Sequence, residues 1–289
     1  MAKIPVVASV GEYLDFVLDD IVSGKITAYR GHSNYSYKLI PKIYRFETAK
    51  KNEERILSEL LTESPSDFKD DKSVFEQLVR AQHYGLPTRL LDVSLNPLVA
   101  LFFAVRDYKS VEKDNDGEVI ILEISEQRSK LFDSDAISCV SNLARLTYDE
   151  KNTLYQHLMS KKGKGGVSSI KVETFNDMPE VERLVQFVRV EKPYFQNKIR
   201  ALDLGRFFFV RPKRTNRRIL AQSGAFVMSG LLKQIGEETS TAFNFSRIRI
   251  DRNEKHSILS DLDKLHINDR TMFPEIENTS RYIGEKYTD

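Results

Sequence analysis

Residues 81–97 read AQHYGLPTRLLDVSLNP, and this stretch decides how the chain is arranged. Pro87 disfavours the α region at the residue before it, so the helix predicted upstream ends here and residues 88–94 run extended. Side chains alternate between the two faces of an extended segment. One face is therefore expected to carry Thr88, Leu90, Asp92 and Ser94, and the other Arg89, Leu91 and Val93.

The dipeptide Asn96-Pro97 predicts the start of a helix, because an asparagine side chain caps well and proline suits the first helical position. Residues 98–105 are apolar on all sides, so we predict that this helix is buried. Ser94 would then lie beside its N-terminus, where free backbone N–H groups and the helix dipole favour an anion. The alternative is that Asp92 and Ser94 only cap the helix.

A candidate ligand site follows from the polar side chains in this stretch. We predict that it contains Gln82, His83, Tyr84, Thr88, Arg89, Asp92, Ser94 and Asn96. His83 is the candidate acid or base, since an imidazole titrates near neutral pH. A structural alternative stays open, in which these groups satisfy one another and Arg89 pairs with a carboxylate.

A second candidate element is the tripeptide Tyr29-Arg30-Gly31, at the end of a predicted strand over residues 26–30. A guanidinium provides a two-pronged donor suited to phosphate or carboxylate. Gly31 has no side chain and would let a ligand approach the backbone. All three residues join the predicted site, and Arg30, with His83 and Asp92, is the predicted catalytic set if the protein is an enzyme.

Further along the chain, strands and helices are mixed without regular βαβ alternation. Strands are predicted at residues 118–125, 207–210, 225–229 and 247–251, and a helix at residues 254–265. This mixture favours an α+β fold, with a mixed, mostly antiparallel central sheet flanked by helices. We predict a core over residues 1–125, a helical or loop insertion or lid over 126–188, and a part over 189–289 that completes the same domain.

Composition excludes several classes of protein. The 289 residues include 44 Lys and Arg, 42 Asp and Glu and one cysteine, and the formal net charge of +2 argues against a nonspecific polycation. No apolar run approaches the ~20 residues of a membrane span, and the N-terminus lacks a signal-peptide core. We therefore expect a cytoplasmic protein without membrane contact. The histidines and Cys139 lack metal-ligand spacing, which predicts no metal site.

Residues 189–218 form a local basic segment. It holds ten lysines and arginines against Glu191 and Asp203, with five aromatic residues between them. Such a segment is suited to nucleic-acid phosphates or an anionic cofactor, and it is our candidate contact for a nucleic-acid or protein acceptor. The alternative is a solvated loop whose three consecutive phenylalanines, residues 207–209, lie in the core.

Several ordered blocks resemble the FRG domain, a family named for its Phe/Tyr-Arg-Gly motif. They are Tyr29-Arg30-Gly31 and residues 39–45, 81–92, 96–105, 218–226 and 273–275. Members occur largely in bacteria and phages, often near mobile-element and defence genes. The resemblance implies a role in antiphage defence or a toxin–antitoxin system, with a regulatory or antitoxin partner. Arg218 and Gln222, from the fifth block, join the predicted binding residues.

The chain also resembles, more distantly, ADP-ribosyltransferases of the Arg–Ser–Glu type, in which an aromatic-Arg-Gly strand grips NAD. Residues 91–94 resemble their Ser-Thr-Ser element, with Asp92 and Val93 in place of the first Ser and the Thr. The resemblance implies NAD as the cofactor, with Arg30 on phosphate. The ribose would be held by Thr88, Asp92 and Ser94, and Tyr84 would stack on a base or the nicotinamide.

The third element of that resemblance is missing. Where the catalytic Glu is expected, the chain has Arg218. Another carboxylate, Asp92, Glu123 or Glu182, would then have to stabilise the oxocarbenium-like centre. Residues 180–182 have the Glu-x-Glu spacing, but after a proline they are more typical of the acidic first turn of a helix.

Three hypotheses result from the sequence. In the first, the protein is an ADP-ribosyltransferase-like effector that binds NAD or a related nucleotide and modifies a protein or nucleic acid. In the second, it is a non-catalytic module that senses a nucleotide or nucleic acid. In the third, the polar residues 82–92 form a structural hub.

Overall fold

The computed structural model describes residues 4–19, 25–106, 115–161, 166–214, 216–231 and 243–288. In these residues, eight strands form one open sheet. The strands are β1 (Val6–Val7), β2 (Ile26–His32), β3 (Leu90–Ser94), β4 (Gly117–Ile124), β5 (Ser129–Leu131), β6 (Phe207–Arg211), β7 (Gly224–Ser229) and β8 (Phe243–Ile250). Their order across the sheet is β1-β8-β4-β2-β3-β7-β6-β5.

The described part of the chain also contains fourteen α-helices. They are α1 (Val10–Asp19), α2 (Glu47–Lys51), α3 (Glu53–Glu63), α4 (Val74–His83), α5 (Pro97–Val105), α6 (Asp135–Asn142), α7 (Tyr148–Lys161), α8 (Val172–Asn176), α9 (Pro179–Glu191), α10 (Ala201–Leu204), α11 (Arg217–Ala221), α12 (Lys255–Lys264), α13 (Asp269–Met272) and α14 (Ile276–Thr288). None of the described helices has the length and apolar content needed to cross a membrane.

The predicted α+β fold is confirmed. The β1–β8 and β5–β6 pairs are parallel and the other pairs in the sheet are antiparallel. The predicted buried helix is α5, which begins at Pro97 with the Asn96 side chain accepting a hydrogen bond from the N–H of Leu98. The strand after Pro87 is shorter than predicted and begins at Leu90.

The sheet is forked at its centre. Strand β2 pairs with β4 along its whole length, and β3 pairs with β7 along its whole length. Between β2 and β3 only Tyr29 and Ser94 are paired. The sheet therefore consists of two half-sheets, β1-β8-β4-β2 and β3-β7-β6-β5, that meet at one residue pair and separate beyond it.

Different helices cover the two half-sheets. Helices α1, α5 and α12 share an apolar core with Tyr29 and Ile121 of the first half-sheet. Helices α4, α6, α7 and α9 share a larger core with Leu90 and Phe226 of the second. Helix α5 covers the first half-sheet and α4 covers the second. The space between these two helices therefore lies over the fork, where the half-sheets separate.

Residues 126–188, which we predicted to form an insertion or lid, contain β5 and helices α6 to α9. Buried side chains from these helices, among them Ile137, Leu154 and Leu184, supply much of the core over the second half-sheet. The described part of this segment is thus a packed layer. Its glycine-rich residues 162–165 lie outside the described residues.

Gly31 has a packing role that the sequence did not indicate. A Cβ atom at this position would lie 1.9 Å from the carbonyl oxygen of Ala100 and 2.7 Å from the amide nitrogen of Ala104, both in the backbone of α5. Neither group is a flexible side chain that can move aside. The absent side chain therefore lets the buried helix approach β2 closely.

We expect the substitution Gly31→Ala to destabilise the protein by about 2 kcal/mol or more, because the added methyl group overpacks the contact between β2 and α5. Urea unfolding measures this directly. Gly11→Ala is the matched control, since a Cβ there meets only the Ser9 hydroxyl at 3.9 Å. It should leave stability unchanged or raise it by up to about 1 kcal/mol. Equal stability of the two variants would contradict the packing role of Gly31.

Candidate ligand-binding site

A cavity of about 230 Å³ lies at the fork. Its floor comes from β2, β3 and β7, and its walls come from α4, α5 and α11. The lining residues are Tyr29, Arg30, Gly31, Val79, Gln82, His83, Asp92, Val93, Ser94, Val99, Ala100, Phe103, Arg218, Ile219, Gln222, Gly224, Ala225 and Phe226. The lining combines apolar side chains with a few polar groups, as ligand sites generally do.

Arg30 reaches across the fork. Its Nη1 donates a 2.6 Å hydrogen bond to the backbone oxygen of Asp92, which has no β2 partner because the strands have separated. Its Nε donates a 3.0 Å bond to His32. Among the described residues, no carboxylate lies within ion-pair distance of Arg30. Burial lowers the pKa of Arg30 to about 10, so the guanidinium stays charged at neutral pH.

His32 is the side-chain hydrogen-bond partner of Arg30. It is buried, and its Nε2 accepts the hydrogen bond from Arg30. Burial and the neighbouring Arg30 lower the pKa of His32 to about 3, so the ring is neutral at physiological pH. A neutral ring that accepts at Nε2 carries its proton on Nδ1, which lies 4.0 Å from a carboxylate oxygen of Glu118. His32 was not among the predicted site residues.

Arg218 is the second cation of the pocket. Its guanidinium lies 4.5 Å from the centre of the Phe273 ring, and Arg106 lies at the same distance from that ring. Within the described ranges, the Arg218 guanidinium makes no hydrogen bond and no ion pair. Burial lowers the pKa of Arg218, which Glu275 and Asp92 partly offset. The pocket thus contains two guanidinium groups that no carboxylate neutralises by direct contact.

His83 faces the pocket from the end of α4. Its Nε2 lies 3.3 Å from a carboxylate oxygen of Glu275. Burial and Arg218 lower the pKa of His83, against the opposing effect of Glu275. Sequence reasoning missed Glu275 as a site residue. Its position in the block 273–275, which carries the FRG resemblance, was the signal that could have identified it.

Nine of the thirteen predicted site residues line this one cavity. They are Tyr29, Arg30, Gly31, Gln82, His83, Asp92, Ser94, Arg218 and Gln222. Ser94 and Gln222 also hold the cavity together: the Ser94 hydroxyl donates a 2.7 Å bond to the backbone oxygen of Gln222. The Gln222 amide in turn donates to the backbone oxygen of Met272 at 3.0 Å.

Three predicted residues lie outside the cavity for local reasons. Thr88 is buried, and its hydroxyl donates to the side-chain oxygen of Gln82. Asn96 caps α5 through the Leu98 N–H at 3.0 Å. Tyr84 is 72% exposed and contacts His83 edge-on. The predicted ribose and stacking contacts of Thr88 and Tyr84 are therefore not made by lining residues of this cavity.

Arg89 is the fourth predicted site residue outside the cavity, and it is fully buried in the core. It donates to both carboxylate oxygens of Glu53, at 2.9 and 2.6 Å, and to the backbone oxygens of Ser229 and Gly230. Lys151 bonds the same carboxylate at 2.7 Å. The alternative stated for Arg89, pairing with a carboxylate, is thus confirmed.

Two of the candidate carboxylates also lie away from the cavity. Glu123 pairs with Lys25 at the end of β4. Glu182 lies in the acidic first turn of α9, as the Glu-x-Glu spacing after a proline indicated. Asp92 and Glu275 are the carboxylates that lie at the pocket and beside His83.

The basic segment 189–218 carries less free charge than its composition suggests. Lys192 pairs with Asp135, Arg200 with Asp203 and Lys213 with Glu76. The three phenylalanines are buried in the core, which confirms that part of the alternative. A nucleic-acid contact through this segment stays a prediction.

The fold and the cavity define an α+β protein with a cationic cleft at the centre of a forked sheet. Residues 25–113 match the family model of the FRG domain. The chain therefore contains an FRG domain, and the matched segment includes the Tyr29-Arg30-Gly31 motif and the stretch 81–97. Searches of curated proteins and of solved structures gave no significant match.

The buried cluster of Glu53, Arg89 and Lys151 generates a stability prediction. Burial alone would raise the pKa of Glu53, but the two cations outweigh burial and lower it from 4.5. A lowered pKa in the folded state means that Glu53 stabilises the protein above its unfolded pKa and loses this effect as the pH falls. We expect Glu53→Gln to cost about 3–5 kcal/mol at pH 7 in urea unfolding.

The control for this prediction is Glu59→Gln, an exposed residue of the same helix, which should change stability by less than about 0.5 kcal/mol. The difference between wild type and Glu53→Gln should shrink as the pH falls below 4.5. A difference that is constant from pH 7 to pH 3 would contradict the assignment of an ionised, cation-paired Glu53.

Proposed function

We propose that the cleft binds NAD or a related phosphate-bearing nucleotide. The observation that carries this proposal is the pair of guanidinium groups, Arg30 and Arg218, that line one cavity and that no carboxylate of the described residues contacts directly. Both side chains are partly buried, and a phosphate is the partner that the paired donors of a guanidinium fit best. Arg89 is the contrast within the same chain, because its guanidinium is already paired with the Glu53 carboxylate.

The size of the cavity bears on how a nucleotide would bind. At about 230 Å³ it is smaller than the about 300–1,000 Å³ of typical ligand pockets. A whole dinucleotide does not fit inside. We propose that one nucleoside end enters the fork between Tyr29 and Asp92, while the phosphates lie at the two arginines and the remainder extends over the rim.

ADP-ribosyl transfer is the chemistry that we propose for this cleft. The bond between nicotinamide and ribose breaks with its electron pair on the departing nicotinamide, and an acceptor nucleophile bonds to the anomeric carbon. The Asp92 carboxylate is suited to stabilise the cationic ribose. His83 is suited to take the proton of the acceptor, because its lowered pKa keeps it neutral and Glu275 holds Nε2, which leaves Nδ1 to accept.

A specific observation favours a second function, nucleotide sensing without transfer. Arg218 takes the position where the resemblance to ADP-ribosyltransferases expects the catalytic Glu, and it lines the cavity. A cation there attracts phosphate but opposes a developing positive charge on ribose. A role in antiphage defence or a toxin–antitoxin system rests on the family resemblance and belongs equally to both functions.

The test is isothermal titration calorimetry, which measures the affinity of the purified protein for NAD and for ADP-ribose. Wild type, Arg30→Gln and Arg218→Gln are compared. Losing a charge-assisted bond to phosphate weakens binding by about 1.5–3 kcal/mol, so each variant should bind at least tenfold more weakly. Arg252→Gln is the control, because Arg252 does not line the cleft, and this variant should bind as wild type does. Unchanged affinity in both cleft variants would overturn the proposal.

Labelled NAD incubated with cell extract separates the two functions. Label transferred to protein or RNA by wild type, and abolished by Asp92→Asn with nucleotide affinity retained, supports the enzyme. Nucleotide binding without transfer at any extract concentration supports the sensor.

We also predict that His32 positions Arg30 for the nucleotide. His32→Gln keeps an acceptor near the place of Nε2, whereas His32→Leu removes it and leaves the guanidinium without its 3.0 Å partner. We expect His32→Leu to weaken ADP-ribose binding about fivefold or more and His32→Gln to restore most of the loss. Equal affinities of the two variants, both folded by circular dichroism, would argue that His32 only fills space.

A further inference from the structure

A second cavity, of about 210 Å³, lies near the beginning of β3, whereas the fork cavity lies near its end. Helices α3 and α7 contribute to its lining, as does Arg89, the residue before β3. Residues of the two cavities do not overlap. Nothing in the proposed nucleotide function uses this second cavity.

The lining of the second cavity carries an excess positive charge. Arg89 and Lys151 share one carboxylate, Glu53, and all three residues are at most 8% exposed. Arg89 uses four of its five N–H donors on that carboxylate and two backbone oxygens. The Lys151 ammonium makes a single hydrogen bond, to Glu53, in the described part of the chain. Two of its three N–H donors are therefore left for a ligand.

Tyrosine rings line the same cavity. Tyr44 is fixed by a 3.0 Å bond from its hydroxyl to the backbone oxygen of Gly230. The Lys50 ammonium lies 5.2 Å from the centre of the Tyr148 ring. Tyr155 lines the cavity from the same face of α7, seven residues further along the helix. In the ranges that the structure describes, the hydroxyls of Tyr148 and Tyr155 have no hydrogen-bond partner. Aromatic walls beside an ammonium suit a flat ligand with an anionic end.

We infer that this cavity is a second ligand site and that it takes a small planar organic monoanion, of the aromatic carboxylate class. The carboxylate would accept from Lys151, which leaves the cluster of two cations and two carboxylates neutral. The ring would lie among Tyr44, Tyr148 and Tyr155. A volume of about 210 Å³ suits a single-ring molecule rather than a nucleotide.

The test uses benzoate, with benzamide as an uncharged probe of the same shape, titrated into the full chain and followed by ligand-observed NMR and calorimetry. Wild type should bind benzoate saturably and at least tenfold more tightly than benzamide, because only benzoate neutralises the excess charge. Lys151→Gln should reduce benzoate affinity at least tenfold, to the level of benzamide. Lys161→Gln, at the exposed end of the same helix, should bind as wild type does.

A second variant keeps the test decisive if Lys151→Gln unfolds. Tyr148→Leu removes an aromatic wall and keeps the charge, and it should weaken benzoate and benzamide alike by about threefold or more. Equal affinities of wild type for benzoate and benzamide, or no saturable benzoate binding, would overturn the inference. Loss of benzoate binding in Arg218→Gln with Lys151→Gln unaffected would also overturn it, because the anion would then occupy the fork cavity.

Discussion

The pairing of β2 with β3 at Tyr29 and Ser94 alone is the constraint on which the cleft depends. Past this pair the two strands separate, and backbone groups that would have formed a ladder must find other partners. Arg30 supplies one of them, through its bond to the Asp92 backbone oxygen. Because this hydrogen bond spans the gap between the two strands, it holds the Arg30 guanidinium at the edge of the cavity.

The arginines of this chain fall into two kinds, one paired within the core and the other lining a cavity. Arg89 directs its guanidinium at Glu53 and two backbone oxygens, so four of its five N–H donors and its charge have partners within the fold. Arg30 and Arg218 line a cavity and have no carboxylate contact among the described residues. Asp92, and for Arg218 also Glu275, offset their charge in part without direct contact. Solvent or a ligand must complete the compensation, and this difference supports the assignment of the fork cavity as the site.

Local patterns in the sequence predicted much of the fold, because they report on neighbours along the chain. The cap and proline at the start of α5 and the apolar residues of β3 needed no distant information. The partner of Arg89 could not be predicted, since Glu53 lies on another helix and any buried carboxylate would have served. The packing role of Gly31 could not be predicted for the same reason, because only the position of Ala100 shows which backbone approaches it. Glu275 meets His83 through tertiary packing alone.

The most direct test of the account is a crystal structure of the protein grown with ADP-ribose. We expect phosphate oxygens within about 3 Å of the guanidinium groups of both Arg30 and Arg218, and a ribose in the fork cavity beside Asp92. Phosphates bound at residues 189–217 of the basic segment, with the fork cavity left to solvent at saturating ligand, would contradict it.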